Sequence, residues 1–148
     1  MNIATGCLDG LLRVFDTCDP DAPSVDYRSS SSSAEGINKV MWSLVDRHLI
    51  LVGKKSGVVE QWDMRVSNTV AKPILTANTG TNHSIIDMEQ NVNNNLLMLA
   101  SGSAVFAYTL DSLQLVRQFE MPAALSFKEE GGVTLRPDGG KFIAVSES

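Results

Sequence analysis

The amino-acid sequence predicts an all-β chain assembled from short antiparallel hairpins. Three observations carry that reading. Nearly every apolar or alternating run is of strand length, residues that favour tight turns separate the runs, and no window keeps a helical period for three turns without such a break. The chain of 148 residues is one domain's worth of sequence, with 43% hydrophobic and 20% charged residues, an ordinary globular composition. A mean hydropathy of +0.00 argues against both disorder and a membrane protein.

Taken in order, the runs are Ile3 to Thr5 and Leu11 to Phe15, joined across "LDG", and then, after "DPDAP", Ile37 to Trp42 and Leu49 to Val52. The turn "KKSG" leads to Val58 to Trp62, and Ile85 to Met88 is followed by "NVNNN" and Leu96 to Leu99. "SGS" opens onto Val105 to Tyr108 and Leu115 to Phe119, and the last pair, Val133 to Leu135 and Phe142 to Val145, flanks "PDGG". The Gly, Asn, Asp, Pro and Ser in these connections accept the left-handed or fixed backbone that a tight reversal needs.

The runs superimpose on one another. Phe15, Trp62 and Tyr108 each close a strand, at intervals close to the roughly 40 to 45 residues of a four-stranded repeat unit. Before each lies a second strand and a short turn: "IATGCLDGLLRVFD", "LILVGKKSGVVEQWD" and "LLMLASGSAVFAYT". The aromatic can pack between neighbouring units, and the Asp that follows, Asp16 or Asp63, can cap the turn leaving the strand. The third copy has Thr109 in place of that Asp and has drifted.

These residues resemble WD40 repeats, and "VTLRPDGGKFIAVSES" resembles the first two strands of a further blade, with Arg136-Pro137-Asp138-Gly139 as its turn. The resemblance implies a partial β-propeller of about three blades, incomplete at both ends: strands b-c-d in 1–33, full blades in 34–80 and 81–121, and strands a-b in 122–148. Rings of this type close with about four to eight blades. The expectation is therefore an arc, whether a fragment, a truncated gene model or half of an assembly. Unpaired strand edges at its two ends would favour a homodimer.

The order of phrases, above all Phe119-Glu120-Met121-Pro122-Ala123, is similar to the middle of the serine-threonine kinase receptor-associated (unr-interacting) family. That resemblance implies a non-catalytic adaptor joining the survival-of-motor-neurons assembly for spliceosomal ribonucleoproteins, and binding receptor kinases. The alternative is a WD-repeat structural subunit of translation initiation factor three. Coding sequence on either side would separate the two.

A full WD40 blade often links a His before strand a to an Asp in the b-c turn, through Ser or Thr to the Trp. No blade here has the full set: Asp9 has no His ahead of it, Trp62 has Glu35-Gly36 where the His would stand, and His83 faces "SGSA". Apolar packing is expected to carry the blades instead. The b-c turns and d-a connections should form a partner-binding rim of Asp9, Glu35, Lys54, Lys55 and His83. The run Ser29 to Ser33 reads as a solvated loop, with phosphorylation-controlled docking as its alternative.

No catalytic, cofactor or metal site is expected. Neither His48 nor His83 stands beside a nucleophile motif, and neither "SGS" nor "GKKSG" matches a phosphate-binding loop that opens a helix. Cys7 and Cys18 lack metal-ligand spacing and read as reduced thiols. A net charge of −5, with no basic cluster interleaved with aromatics, disfavours direct nucleic-acid binding. The start "MNIATGCLDG" lacks a signal peptide's basic and apolar regions, and no run is long enough to span a bilayer. The expectation is a protein of the cytoplasm, with the nucleus also open to it, whose partners are other proteins.

Overall fold

The computed structural model describes residues 2–28, 35–66, 72–122, 125–127, 131–136 and 141–145. Among them it forms strands alone, with no helix and hence none long and apolar enough to cross a membrane. The first sheet pairs β1 (Asn2–Gly6), β2 (Leu11–Asp16) and β3 (Val25–Arg28) in that order. The second runs β4 (Ile37–Trp42), β5 (Leu49–Lys54), β6 (Val58–Asp63), β7 (Leu75–Asn78). The third runs β8 (Ile85–Asn91), β9 (Leu96–Ser101), β10 (Ala104–Thr109), β11 (Leu115–Glu120), and the fourth pairs β12 (Gly132–Leu135) with β13 (Phe142–Val145). Every pairing is antiparallel between consecutive strands, so each sheet is a meander. The fold is all-β, built of four-stranded antiparallel sheets consistent with partial WD40 blades.

Two strands, β3 "VDYR" and β7 "LTAN", have no apolar run to announce them. Both are the outermost strands of their sheets, and half of their residues meet solvent, so burial does not select an apolar pattern there. Burial of β5, β6, β9 and β10 is nearly continuous along each strand. The reason is that each of these strands has a sheet on either side.

On β5 and β6, Ile50, Val52 and Trp62 pack with Leu12, Val14 and Tyr27 of the first sheet, while the alternate residues Leu51 and Val59 pack with Ile85, Leu97, Phe106 and Tyr108 of the third. The third sheet divides the same way. Leu97, Leu99, Phe106 and Tyr108 face backward, and Met98, Ala100, Val105 and Ala107 face forward onto Phe127 and Val133. The two-residue period of a strand thus serves two cores at once. Three separate apolar layers alternate with the sheets.

The inner strands are tied to one another by polar side chains. A register shift between Ile37 and Lys39 and another between Ile85 and Asp87 place bulges at matching points of β4 and β8. Such bulges re-aim side chains. Asn38 Nδ2 donates to the Ile85 carbonyl at 2.9 Å, Lys39 Nζ lies 2.6 Å from Asp87 Oδ1, and Asp87 Oδ2 accepts the Val133 N–H at 3.0 Å. At the other end of β8, Gln90 accepts from Leu44 N–H and donates to the Trp42 carbonyl.

Close approach of the sheets depends on glycines near the ends of β1 and β5. A Cβ on Gly53 would lie 2.7 Å from Ile85 Cγ2 and 2.9 Å from Ile85 Cβ, and one on Gly6 would collide with Ile37 and Val40. Gly53→Val is expected to cost about 1–3 kcal/mol or more through overpacking. Urea unfolding should show the loss, and Ile85→Ala in the same chain should recover part of it; full additivity of the two penalties would mean that the sheets do not meet at this point.

Candidate functional site

The turns between second and third strands and the connections between sheets meet along one edge and form a continuous ladder. Ile37 N–H donates to the Cys7 carbonyl at 2.9 Å, and Lys55 N–H to the Gly36 carbonyl at 2.9 Å. Thr79 donates from both N–H and Oγ1 to the Gly57 carbonyl, each at 3.0 Å. Ser101 Oγ donates to the His83 carbonyl at 2.9 Å and lies 3.0 Å from Thr81 Oγ1, and Phe127 N–H donates to the Gly102 carbonyl. The turns after β5 and β9 are therefore each braced by the connections on both sides, the turn after β1 by the connection that follows it, and the exposed side chains stand on a fixed backbone.

Asp9 takes the Leu11 N–H at 3.0 Å and the Arg13 guanidinium at 2.7 Å, and these donors, Arg13 foremost, pull its carboxyl down to about 2. Glu35 accepts the Ser56 hydroxyl at 2.7 Å, bridging a connection to a turn. Lys55 and His83 are exposed. The expected rim residues Asp9, Glu35, Lys55 and His83 thus come from consecutive turns and connections of this ladder.

Lys54 is a correction. Expected to project from the rim, it is 3% exposed, because its position continues the inward-facing series Ile50, Val52 on β5. Its Nζ lies 2.7 Å from Glu60 Oε1, and Glu60 Oε2 accepts the Trp62 indole N–H at 3.0 Å. Glu60, 4% exposed, is the residue the sequence reading passed over. The signal was available: a carboxylate two residues before the repeat aromatic must share its face of the strand. The second sheet therefore holds a buried Lys-Glu-Trp chain within its apolar packing.

Of the repeat residues, Trp62 is buried and meets the Tyr27 ring edge-on at 6.1 Å. Tyr108 is buried, donates to the Asn78 carbonyl at 3.3 Å, and has its phenol pushed up by burial. Phe15 stands 39% exposed, on the side of the first sheet opposite Leu12 and Val14. Asp16 Oδ1 accepts the Cys18 N–H and Asp63 Oδ1 the Arg65 N–H, each at 2.9 Å. Thr109 Oγ1 accepts the Gln114 N–H in the drifted copy. Arg136 N–H donates to the Lys141 carbonyl, whereas Pro137, Asp138 and Gly139, like Ser29 to Ser33, lie outside the described residues.

The opposite edge carries a second polar group, with Arg65 Nη2 lying 2.7 Å from Asp63 and 3.5 Å from Asp46. Among the described residues, no group of three or more His, Cys, Asp or Glu side chains could hold a metal ion. Among the described residues, Cys7 and Cys18 form no disulfide, and both are exposed.

The fold and its edges define a class: a stack of antiparallel sheets with apolar layers between them and turn-borne polar groups on a braced rim. No family model matches the chain. The chain is similar to the serine-threonine kinase receptor-associated protein of Gallus gallus, 29% identical over 146 residues, which is 98% of this chain and 37% of that relative. The proteins of the same name from Rattus norvegicus and Homo sapiens are each 26% identical over 145 residues. The chain spans 37% of the length of these relatives.

Two outcomes follow from this geometry. Glu60→Ala leaves the Lys54 ammonium buried without its partner and is expected to cost about 3–5 kcal/mol, while Lys54→Met with Glu60→Leu restores most of that stability. Denaturant melts of the single and double variants check both halves; a double variant as unstable as Glu60→Ala contradicts the pairing. For Asp9 the folded carboxyl titrates below its ordinary 3.8, so its contribution is present above about pH 4 and is lost as pH falls toward 2. A side-chain NMR titration should give a midpoint near 2, and Asp9→Asn should remove this part of the acid dependence.

Proposed function

We propose that this chain is part of a non-catalytic scaffold that binds other proteins through its braced rim. In this reading 1–33, 34–80, 81–121 and 122–148 are successive blades of a WD40 propeller. The observation that carries it is the alignment of 98% of the chain, sheet after sheet, with proteins named for association with a serine-threonine kinase receptor. The rim supports it physically, since side chains on short turns can differ between relatives without disturbing the layers beneath. The partners proposed are receptor serine-threonine kinases and subunits of a ribonucleoprotein-assembly complex, met in the cytoplasm or nucleus, with no direct contact to nucleic acid.

Binding of purified receptor-kinase cytoplasmic domain to the chain, followed by calorimetry, is the direct test. Lys55→Glu and His83→Ala together are expected to weaken association by about 30-fold or more if they form part of a binding hot spot. Both residues are exposed, so the unfolding midpoint should not move. Binding unchanged in the double variant would move the contact away from this rim. Capture of translation-initiation subunits in place of the kinase would overturn the adaptor reading and leave the fold standing.

A further inference from the structure

On the rim, three exposed side chains stand in a row, each seated against glycine backbone. A Cβ on Gly36 would lie 3.3 Å from Leu8 Cα, one on Gly57 2.9 Å from the His83 carbonyl oxygen, and one on Gly102 2.8 Å from His83 Cδ2. Lys55 N–H donates to the Gly36 carbonyl at 2.9 Å. Leu8, Lys55 and His83 are therefore successive neighbours along one strip that crosses from the first sheet to the third, and Leu8 is 65% exposed.

Charge along this strip is out of balance. Its acids are already engaged: Asp9 is held by the Arg13 guanidinium, Glu35 by the Ser56 hydroxyl, and Glu120, at the same edge of the third sheet, by the Gln118 amide. Its cations are not. Arg28 is exposed at this edge of the first sheet, across from Leu11. Among the described residues, no carboxylate lies within ion-pair distance of Arg28, Lys55 or His83. In a chain of net charge −5, cations left without acids along one edge run against the general balance.

We propose that this strip binds an acidic segment of a partner protein. Carboxylates of the segment meet Lys55 and Arg28, one accepts from the His83 imidazole, and an apolar side chain beside them seats on Leu8. The inference rests on the scaffold reading and names the chemistry of its partner. Charge complementarity selects the occupant: a basic segment would face like charge, and a neutral one would leave both cations without a partner. Because the glycine-seated turns do not reorganise, little ordering is lost on this side of the contact.

Fluorescence anisotropy with a labelled peptide of glutamates flanking a leucine is the test. The peptide is expected to bind the chain, to bind more weakly as salt is raised, and to lose about 10-fold or more in affinity for Lys55→Glu. A lysine counterpart of the peptide should prefer Lys55→Glu to the parent chain, an exchange that misfolding cannot produce. No binding of the glutamate peptide, or a glutamine counterpart that binds the parent equally well, overturns the proposal. A phosphoserine peptide that binds where the glutamate peptide does not overturns the assignment to carboxylates. The receptor-kinase measurement separates the two readings. Kinase binding that the glutamate peptide fails to compete removes the acidic strip and leaves the scaffold, whereas peptide binding without kinase binding keeps the strip and removes the kinase as its partner.

Discussion

A sheet with two apolar faces cannot be left with either of them in water, and the architecture of this protein follows from that. Burying one layer against a neighbour leaves the other face needing the same treatment. Each Val, Leu, Ile, Phe or Met side chain of β5, β6, β9 or β10 turned from solvent contributes on the order of 1.5–3 kcal/mol, depending on its size. A lone hairpin would be marginal at best, and each added sheet buries a further apolar face. The same constraint explains the position occupied by Gly6 and Gly53 near the ends of β1 and β5. A larger residue there would hold the next inner strand away and open the layer along its length.

The Lys54, Glu60 and Trp62 chain sits inside one of these layers, and its value is geometric more than energetic. A buried ion pair roughly offsets its own desolvation, so a well-packed apolar replacement would be about as stable. What the chain does is fix relative position. It fastens the indole to the end of β5, and that end leads directly into the turn bearing Lys55 and Ser56. The third sheet reaches the same end differently. Ser101, matching Lys54 across the hairpin, bonds to the His83 carbonyl and leaves Phe106 to fill the space that Glu60 occupies in the second sheet. Two chemistries thus brace two adjacent turns.

Strand type and order were largely legible in the sequence because central strands carry long apolar runs and the turns between them carry Gly, Asn and Asp. The outer strands β3 and β7 were the least legible: with one edge free and solvent on part of each face, "VDYR" and "LTAN" carry little burial signal. At the rim, Asp9, Glu35, Lys55 and His83 could be assigned to turns and connections once the strand runs were laid against the WD40-like repeat. Lys54 could not, because whether a residue next to a turn points inward depends on strand parity. One residue of shift exchanges core for solvent. Reading Val52 as inward-facing would have turned Lys54 inward too, and Glu60 was then the carboxylate within reach.

The division of labour between layers and edges bears on what the molecule can do. Its inward-facing polar groups hold sheets in place: Gln90 clamps the turn that leaves β4, Asp87 bridges β8 to β12, and Glu60 is shared between Lys54 and Trp62. A group locked in this way is poorly placed to exchange a proton with a substrate. The exposed rim has the opposite character, with side chains that can contact a partner on a backbone that does not have to reorganise. Binding to such a surface loses little backbone entropy, so affinity can be set by a few turn residues. A fold whose buried polar groups hold its sheets in place and whose rim is braced presents turn side chains in fixed positions, the property that recognition by a surface requires.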